Sequence, residues 1–360
     1  MKDNNFKHLS PLGWTSCFQS QLKNLDNNSL IPARVTGVRR NSFFINDGKE
    51  ERTTTLSGKL QYECGSTYPV VGDWVMARQT VIARILSRKN TLTRGASGMR
   101  SRKSGECREQ IIAANLDSVF IVTGLDRDFN LRRIERYLTL VYNCGLNPVI
   151  ILTKADLHQA PEHFMNQVET IAFGVPVHLV SALDNSGLSD LTPYLGHGRT
   201  CVMVGSSGTG KSTLINRLCG KTVQATGEVS AHVGKGTHTT TSRDLILMPQ
   251  GGMIIDNPGI REISFWDIDQ GVEFTFPEIE ALGGQCRFSD CTHTHEPGCR
   301  VLAAVQDEEL TEARLENYRK MKRELEYISS RKNKSADRVE KERWKQVSMR
   351  IKSISSKKSF

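Results

Sequence analysis

The sequence predicts a multidomain protein in which a small β-barrel precedes an α/β domain, and a small α-helical, metal-binding domain follows. Short strand-like runs separated by turn residues fill residues 31–92, with no helical period among them. Apolar strand runs alternate with helical stretches over residues 111–270, which is typical of a mainly parallel sheet. Residues 271–330 combine a Cys/His cluster with charged, helix-prone sequence. Because 360 residues exceed one ordinary domain, we expect separate folding units.

The segments outside the three predicted domains carry most of the net positive charge. Residues 1–30 are polar and expected to be mobile, residues 93–110 form a basic Gly/Ser-rich linker, and residues 331–360 form a basic tail. The chain has a formal charge of +9, yet residues 319–360 alone hold fifteen Lys/Arg against five Asp/Glu. Such a tail favours contact with a polyanion such as nucleic acid, and a merely solvated helical tail is the alternative.

Composition excludes several classes of protein. With 38% hydrophobic residues the chain can bury a core and is not globally disordered. No apolar run approaches the about 18 residues that cross a bilayer, and the first residues lack the apolar stretch of a leader. The nine cysteines are dispersed except for one group near residue 290. We therefore expect a cytoplasmic monomer with reduced thiols and no membrane contact.

The runs in residues 31–92 predict a barrel of the oligonucleotide-binding type. They are ARVTGV, SFFIND, TTTLSGKLQY, DWVMARQ and VIARILS. Positive charge for a nucleic-acid contact comes from Arg34, Arg39, Arg40, Arg52, Arg78 and Arg84. Three aromatic residues are candidates to stack on bases, with membership of the barrel core as the alternative: Phe43, Phe44 and Tyr62.

The α/β domain is predicted from six buried-type strand runs and the helices between them. The strand runs are DSVFIVTGL, PVIILTK, VHLVSA, TCVMVG, RDLILM and GMIID. The clearest helical stretches are LRRIERYLTLVY and STLINRLCG.

A phosphate loop is predicted between the run TCVMV and the helix STLINRL. The sequence GSSGTGKS fits the pattern G-x-x-x-x-G-K-[ST], whose backbone N–H groups surround phosphates at a helix N-terminus. Lys211 would neutralise the β- and γ-phosphates, and the Ser212 hydroxyl would ligate Mg²⁺. The predicted contacts are Gly205, Ser206, Ser207, Gly208, Thr209, Gly210, Lys211, Ser212 and Thr213.

Two short motifs favour guanine over adenine. The first, after the run PVIIL, consists of Thr153, Lys154, Ala155 and Asp156 and resembles the N/T-K-x-D element of GTPases. A carboxylate there accepts from the ring N–H and the exocyclic amine of guanine, and adenine presents no matching pair of donors. The second, after VHLV, consists of Ser181, Ala182 and Leu183, where GTPases place a backbone contact to the guanine oxygen.

Two further segments predict the nucleotide-sensing loops. Asp256 ends the run GMIID and opens a D-x-x-G element that reaches Gly259. Asp256 would hold Mg²⁺ through water, and the Gly259 N–H would meet the γ-phosphate. The segment 236–241, GTHTTT, could add a threonine to the Mg²⁺ shell when GTP orders it.

These motifs occur in permuted order. The base motifs come first, then the phosphate loop, the threonine segment and D-x-x-G, whereas conventional GTPases begin with the phosphate loop. A parallel sheet tolerates this rearrangement if the old ends are joined and new ends open at the surface. Residues 256–263 then lead directly into the C-terminal domain, so nucleotide state can reach that domain through the chain itself.

A zinc site is predicted from three thiols and one imidazole within fourteen residues: Cys286, Cys291, His293 and Cys299. Soft sulfur plus nitrogen in a set of four indicates structural, tetrahedral Zn²⁺, with a free-thiol loop as the alternative. On spacing alone His295 competes with His293. So short a segment lacks a core of its own, so the metal would supply its stability.

The whole arrangement resembles the bacterial small ribosomal subunit biogenesis GTPases, a circularly permuted family that assists late assembly of the 30S particle. The likeness covers about residues 30–300 and includes the barrel, the permuted motifs, the GxHTTT segment and the cysteine group. It implies a role in hydrolysis for His238, and an apolar residue, here Ile260, in place of the usual water-positioning glutamine. It favours His293 as the zinc ligand. Thr153 stands where the family usually has Asn, and Asn257 where it commonly has Thr.

The resemblance implies a fold and a function. The fold is a small oligonucleotide-binding-type barrel, an α/β P-loop GTPase with circularly permuted motif order, and a small α-helical zinc-binding domain. The function is Mg²⁺-dependent hydrolysis of GTP to GDP and phosphate, stimulated by the small ribosomal subunit. The barrel and the C-terminal region would contact the rRNA of that subunit. Two alternatives from the residues stay open: an ATP-dependent RNA-processing enzyme, and a nucleotide-controlled RNA-binding switch with little turnover.

Overall fold

The computed structural model describes residues 6–22, 30–63, 68–95, 109–224, 243–256 and 270–326. They fall into two compact units. The first takes its residues from Met1–Thr93 and Ile111–Ile263, and the second from Arg94–Gln110 and Ser264–Phe360. No helix among the described residues is long and apolar enough to cross a membrane.

Residues 6–22 differ from the mobile segment that the sequence predicts. They form a 3-10 turn, Lys7–Leu12, and helix α1, Ser16–Gln21. Leu9 and Phe18 are fully buried, and Trp14 stands edge-on to Trp74 with ring centroids 4.7 Å apart. These few apolar side chains pack the segment onto the barrel. The mostly polar composition of residues 1–30 does not predict this packing.

Five strands close the predicted barrel. They are β1 (Ile31–Val38), β2 (Phe43–Asn46), β3 (Glu51–Leu56), β4 (Trp74–Arg78) and β5 (Val81–Ile85). Their order is β1-β2-β3-β5-β4, and β4 returns to pair with β1. Alternate apolar side chains point inward, among them Val35, Ile45 and Ile82, so the barrel core follows the two-residue period of the strands.

One run that the sequence predicts as a strand is a strand only in its first half and a helix in its second half. The run TTTLSGKLQY leaves the sheet after Leu56, and helix α2 (Gly58–Glu63) follows. The Ser57 hydroxyl accepts a hydrogen bond from the Leu60 N–H at 3.1 Å, and the Ser57 carbonyl accepts from the Gln61 N–H. Ser57 therefore caps a helix, which is the behaviour expected of serine before a helical turn.

In the chain, a two-stranded ribbon of β6 (Thr91–Gly95) and β7 (Glu109–Ala114) precedes the predicted parallel sheet, which belongs to the first unit. Its strands are β8 (Ser118–Gly124), β9 (Pro148–Thr153), β10 (Val177–Val180), β11 (Thr200–Val204), β12 (Arg243–Leu247) and β13 (Met253–Asp256). Three helices connect them: α3 (Leu131–Asn143), α4 (Glu162–Glu169) and α5 (Lys211–Cys219). Short 3-10 turns lie at Ala155–Leu157 and Ser189–Leu195.

The strand order is β10-β9-β8-β11-β13-β12, and all pairs are parallel except β12 with β13. Strand β12 also pairs with barrel strand β1, so barrel and sheet share backbone hydrogen bonds. Asp244 on β12 accepts from Arg39 at 2.8 Å beside this junction.

Arg34 is buried between the barrel and the sheet and does not offer its charge to a nucleic acid. It is 1% exposed and donates to the carbonyls of Leu12, Gly72 and Asn115. Burial lowers its pKa to about 10. Because this pKa is still well above 7, the guanidinium stays charged at neutral pH. The sequence does not show whether a strand arginine points inward or outward, because that depends on the carbonyl groups that the fold brings near it.

The described part of the second unit is largely helical. Its helices are α6 (Gln270–Thr275), α7 (Pro277–Gly283), α8 (Arg300–Gln306) and α9 (312–326). On α9 the buried apolar residues recur every three or four positions, at Leu315, Tyr318, Met321 and Leu325. Arg314 of α9 donates to Glu278 of α7 at 2.5 Å, which fixes two of these helices against each other.

Candidate nucleotide-binding and metal sites

The predicted phosphate loop lies between β11 and α5, and its glycines take backbone shapes that other residues avoid. Gly205 has φ +148°, and a Cβ there would stand 2.2 Å from the Val122 carbonyl oxygen. Gly210, with φ +87°, is the N-cap of α5. The loop therefore turns tightly against β8 and ends at a helix N-terminus, which is the geometry that directs N–H groups at an anion.

The Lys211 ammonium lies inside this loop. It donates to the Gly205 carbonyl at 2.8 Å, to the Ser206 carbonyl, and to the Thr209 hydroxyl at 3.2 Å. Ser212 and Thr213 follow in the first turn of α5 and are partly buried. Three residues predicted from the loop motif, Gly205, Ser206 and Thr209, therefore contact this ammonium.

The base motif lies beside the phosphate loop. Thr153, at the end of β9, donates through its hydroxyl to the Thr209 carbonyl at 2.6 Å. Lys154 has the left-handed φ of +61°, which turns its side chain back so that its ammonium donates to the Gly208 carbonyl at 2.7 Å. Two consecutive side chains therefore attach the end of β9 to the loop.

Asp156 and Ser181 come together because β9 and β10 are neighbours and parallel. The Ser181 hydroxyl donates to Asp156 Oδ1 at 2.6 Å and accepts from the Leu183 N–H at 3.2 Å. Ser181 is fully buried, whereas Asp156 is exposed. The carboxylate is thus oriented by a buried hydroxyl while it stays accessible.

Asp256 ends β13, which pairs directly with β11, the strand before the phosphate loop. It is 8% exposed. Gly259, Ile260, the threonine segment 236–241 and His238 lie outside the described residues.

Asp126 and Arg133 of this region were missed by the sequence analysis. Asp126, just after β8, accepts from the Lys154 ammonium at 2.6 Å, and this ion pair holds the pKa of Asp126 below its usual value although burial opposes it. Arg133, in the first turn of α3, donates to the Ser206 hydroxyl and to Asp128. Arg133 belongs to no recognisable sequence motif. Its contact with Ser206 could therefore be found only from the fold.

In the second unit, four predicted ligand atoms form a compact cluster. The thiol sulfurs of Cys286, Cys291 and Cys299 and the imidazole of His293 all lie within 4.8 Å of one another. Cys286 Sγ is 3.8 Å from Cys299 Sγ and 3.7 Å from His293 Nδ1. A tetrahedral ion with bonds of about 2.3 Å to sulfur and about 2.0–2.1 Å to nitrogen requires ligand separations of about 3.5–3.8 Å. The separations among Cys286, His293 and Cys299, 3.5–3.8 Å, match this requirement.

The backbone around the cluster suits thiolates. Burial raises the pKa of Cys286, but hydrogen bonds from the N–H groups of Arg300 and Val301, at the start of α8, lower it. The net result is a pKa below the usual value of a cysteine thiol. The Leu302 N–H donates to Cys299 Sγ at 3.4 Å. These donors stabilise negative sulfur, as N–H groups around metal-bound cysteines do.

Glu296 shapes the turn that presents His293. Its carboxylate accepts from the backbone N–H groups of Thr292, Thr294 and His295 at 2.8–3.0 Å, and from the Thr292 hydroxyl. These bonds, the Thr292 hydroxyl foremost, hold its pKa well below the usual range. His293 has φ +57° inside this turn and points into the cluster, whereas His295 is exposed.

The candidate stacking residues of the barrel divide between core and surface. Phe43 belongs to the barrel core, as the alternative in the sequence analysis held. Phe44 is half-buried under the Arg39 guanidinium, 5.0 Å from its ring centroid. Tyr62 is 92% exposed, and Arg40, Arg78 and Arg84 are exposed as well. Arg52 pairs with Asp47 at 3.0 Å and is mostly buried.

The base motif precedes the phosphate loop in the chain, yet the sheet brings both to one edge. That combination defines the class: a P-loop GTPase with circularly permuted motif order, joined to a closed five-stranded barrel. The family model described as RsgA GTPase matches residues 85–266. A model described as ABC transporter matches residues 188–349, a range that contains the phosphate loop but begins after the base motif.

This chain belongs to the RsgA GTPase family, and it is a GTP-hydrolysing enzyme. The small ribosomal subunit biogenesis GTPase RsgA of Opitutus terrae is 41% identical over 356 residues, which cover 94% of this chain and 95% of that relative. The crystal structure of YjeQ from Thermotoga maritima is similar with a TM-score of 0.59 and 29% identity, covering 82% of this chain and 98% of that one. YloQ, a circularly permuted GTPase, matches in fold with a TM-score of 0.55 at 24% identity, over 87% of this chain and 98% of its own.

Proposed function

We propose that this GTPase binds the small ribosomal subunit, assists its late assembly, and hydrolyses GTP to GDP and phosphate faster on the particle than alone. The observation that carries the proposal is the end-to-end likeness to a relative named for small-subunit biogenesis, 94% of this chain against 95% of that one. The likeness spans all three parts of the chain. A shared phosphate loop alone would support only nucleotide binding.

Guanine recognition falls to Asp156, with Ala182 and Leu183 supplying the loop next to it. The exposed carboxylate, fixed at 2.6 Å by the Ser181 hydroxyl, is oriented to accept two N–H donors of a base edge. Thr153 and Lys154 attach this motif to the phosphate loop, and Ala155 joins them to Asp156 in the chain. The described contacts support a base site and a phosphate site of fixed separation.

Phosphate binding falls to residues 205–213. Lys211 compensates the charge of the β- and γ-phosphates, and the Gly259 N–H would meet the γ-phosphate. The Ser212 hydroxyl in the first turn of α5 and the Asp256 carboxylate at the end of β13 are oxygen donors of the kind that Mg²⁺ requires. When bound, Mg²⁺ would supply positive charge beside the phosphates.

The attacking water would be positioned by His238. The residue after D-x-x-G is Ile260, which has no polar group for this task. The family resemblance supplies His238 as the candidate, on a segment that lies outside the described residues. A hydrolysis step without the usual glutamine would be slow in the free protein and would depend on the particle to order the loop.

The cluster of Cys286, Cys291, His293 and Cys299 would hold one structural Zn²⁺. Three thiolates and an imidazole match zinc chemistry, and ligand separations near 3.7 Å match its tetrahedral shape. This domain and the barrel would contact rRNA, the barrel through exposed Tyr62, Arg40 and Arg84. We place the protein in the cytoplasm as a monomer.

Co-sedimentation with purified ribosomal subunits tests this proposal. The protein should pellet with small subunits in a non-hydrolysable GTP analogue, and much less so with GDP. Large subunits under the same conditions are the control. Equal binding to both subunits, or binding that ignores the nucleotide, would contradict the assignment of the partner.

A further inference from the structure

Arg217 attaches the helix after the phosphate loop to the loop of the base site. It lies in the last turn of α5, which begins at Lys211. Its Nε donates to the Ala182 carbonyl at 2.6 Å, and its Nη2 stands 3.5 Å from the Leu183 carbonyl. The contact joins residues 35 positions apart in the chain, so it reflects the tertiary fold and not local structure.

The peptide that Arg217 holds is fixed at both of its ends. Its carbonyl, that of Ala182, accepts from Arg217, and its N–H, that of Leu183, donates to the Ser181 hydroxyl at 3.2 Å. The same hydroxyl donates to Asp156 Oδ1 at 2.6 Å. A continuous series of hydrogen bonds therefore runs from α5 through this peptide and Ser181 to the carboxylate.

We propose that Arg217 is a positioning residue for guanine specificity, an inference that rests on the proposed base site. It touches no reacting atom. It holds the Ala182–Leu183 peptide and, through Ser181, keeps the Asp156 carboxylate aimed at the base edge. Because α5 starts at the phosphate loop, Arg217 adds a link between the two halves of the nucleotide site to those made by Thr153 and Lys154.

A merely structural role would have a different signature. Arg217 is exposed, and exposed charged contacts contribute little to stability, so its removal should barely change the thermal midpoint. Loss of a loop anchor instead widens the range of positions of the Ala182 and Asp156 groups. Only a nucleotide whose base uses those groups senses the change.

The experiment compares Arg217→Ala and Arg217→Lys with the parent. Dissociation constants of GDP and ADP are measured by competition against a fluorescent guanine nucleotide, together with thermal midpoints without nucleotide. Arg199→Ala is the matched control, since Arg199 is also exposed but precedes β11 at the end away from the phosphate loop. Asp156→Asn tests the base site itself.

Arg217→Ala should weaken GDP by about 3- to 10-fold and leave ADP unchanged, so the GDP/ADP preference falls by the same factor. Arg217→Lys should recover part of it, because one ammonium can reach one carbonyl. An unchanged preference in Arg217→Ala, with the preference lost in Asp156→Asn, overturns the role of Arg217 and leaves the base site intact. An unchanged preference in Asp156→Asn would overturn the base site, and the proposal with it.

Discussion

The Thr153 hydroxyl donates to the Thr209 carbonyl at 2.6 Å, and so joins the last residue of the base strand to the middle of the phosphate loop. Both residues are buried, Thr153 at 5% and Thr209 at 0% exposure. An asparagine is usual at the position of Thr153 in the family that the sequence resembles. The shorter hydroxyl still reaches the loop, and it also lies 3.3 Å from the Thr123 carbonyl on β8.

This contact predicts that Thr153→Val weakens nucleotide binding without unfolding the protein. Valine keeps the shape but leaves the Thr209 carbonyl without that donor, which costs about 1 kcal/mol, or about fivefold in affinity for GDP. Thr153→Ser retains the hydroxyl and is the control. Isothermal titration with GDP checks the result, and equal affinity for parent and valine variant would show that the bond does not order the loop.

Asp156→Asn should reduce guanine binding and shift it toward xanthine. The amide replaces one acceptor with a donor, so GDP affinity should fall by about 1–3 kcal/mol. Xanthosine diphosphate should regain part of the loss, because the C2 carbonyl oxygen of xanthine accepts from the new N–H. Competition binding with both diphosphates measures the exchange, and no gain for the xanthine nucleotide would contradict the proposed base contact.

The metal cluster predicts a protection pattern among the cysteines. Cys286, Cys291 and Cys299 should resist alkylation in the metal-loaded protein and react after chelation, because bound thiolates are shielded from the reagent. Cys201 is an internal control: burial raises the pKa of its thiol, and it should stay unreactive in both states. Peptide-resolved mass spectrometry and one equivalent of zinc by elemental analysis check this.

Lower pH should release the same metal, because protons compete for the thiolates. Cys286→Ser should lose metal and disturb the second unit while GDP binding stays largely intact. Full zinc content in that variant, or alkylation that ignores chelation, would exclude a zinc–thiolate site.

Much of the fold follows from local sequence pattern. The six strand runs of the α/β domain became strands because long apolar runs bounded by turn residues have few alternatives in a buried sheet. Ser57 shows the limit: it lies inside a strand-like run, and its capping bond starts helix α2 instead. The apolar residues among residues 6–22 were likewise too few, in a mostly polar segment, to predict that the segment is folded.

The site residues divide in the same way. Motifs that are contiguous in the chain, such as residues 205–212, were predictable because their chemistry needs a fixed spacing. Asp126, Arg133 and Arg217 were not, since each acts on a residue at least 28 positions away. Such contacts depend on which strands are neighbours, and hydrophobic pattern alone does not determine strand order.

His238→Ala should lower hydrolysis on the small subunit by a factor of about 10²–10⁴, the span expected for a group that positions or deprotonates water. GDP affinity should change little, because the imidazole would face the water and not the phosphates. The variant should also remain longer on the particle in the GTP state. Parent-level turnover of His238→Ala on small subunits would assign the histidine to packing within its loop.

Single-turnover GTP hydrolysis with and without purified small subunits, followed as release of labelled phosphate, tests the proposed function of the protein. The parent should hydrolyse GTP slowly alone and much faster with small subunits, and large subunits and ATP should give no such increase. Lys211→Ala should abolish the stimulated reaction, because the loop loses its phosphate-neutralising charge. An equal rate with and without small subunits, or an equal stimulation of ATP hydrolysis, would contradict a particle-stimulated GTPase.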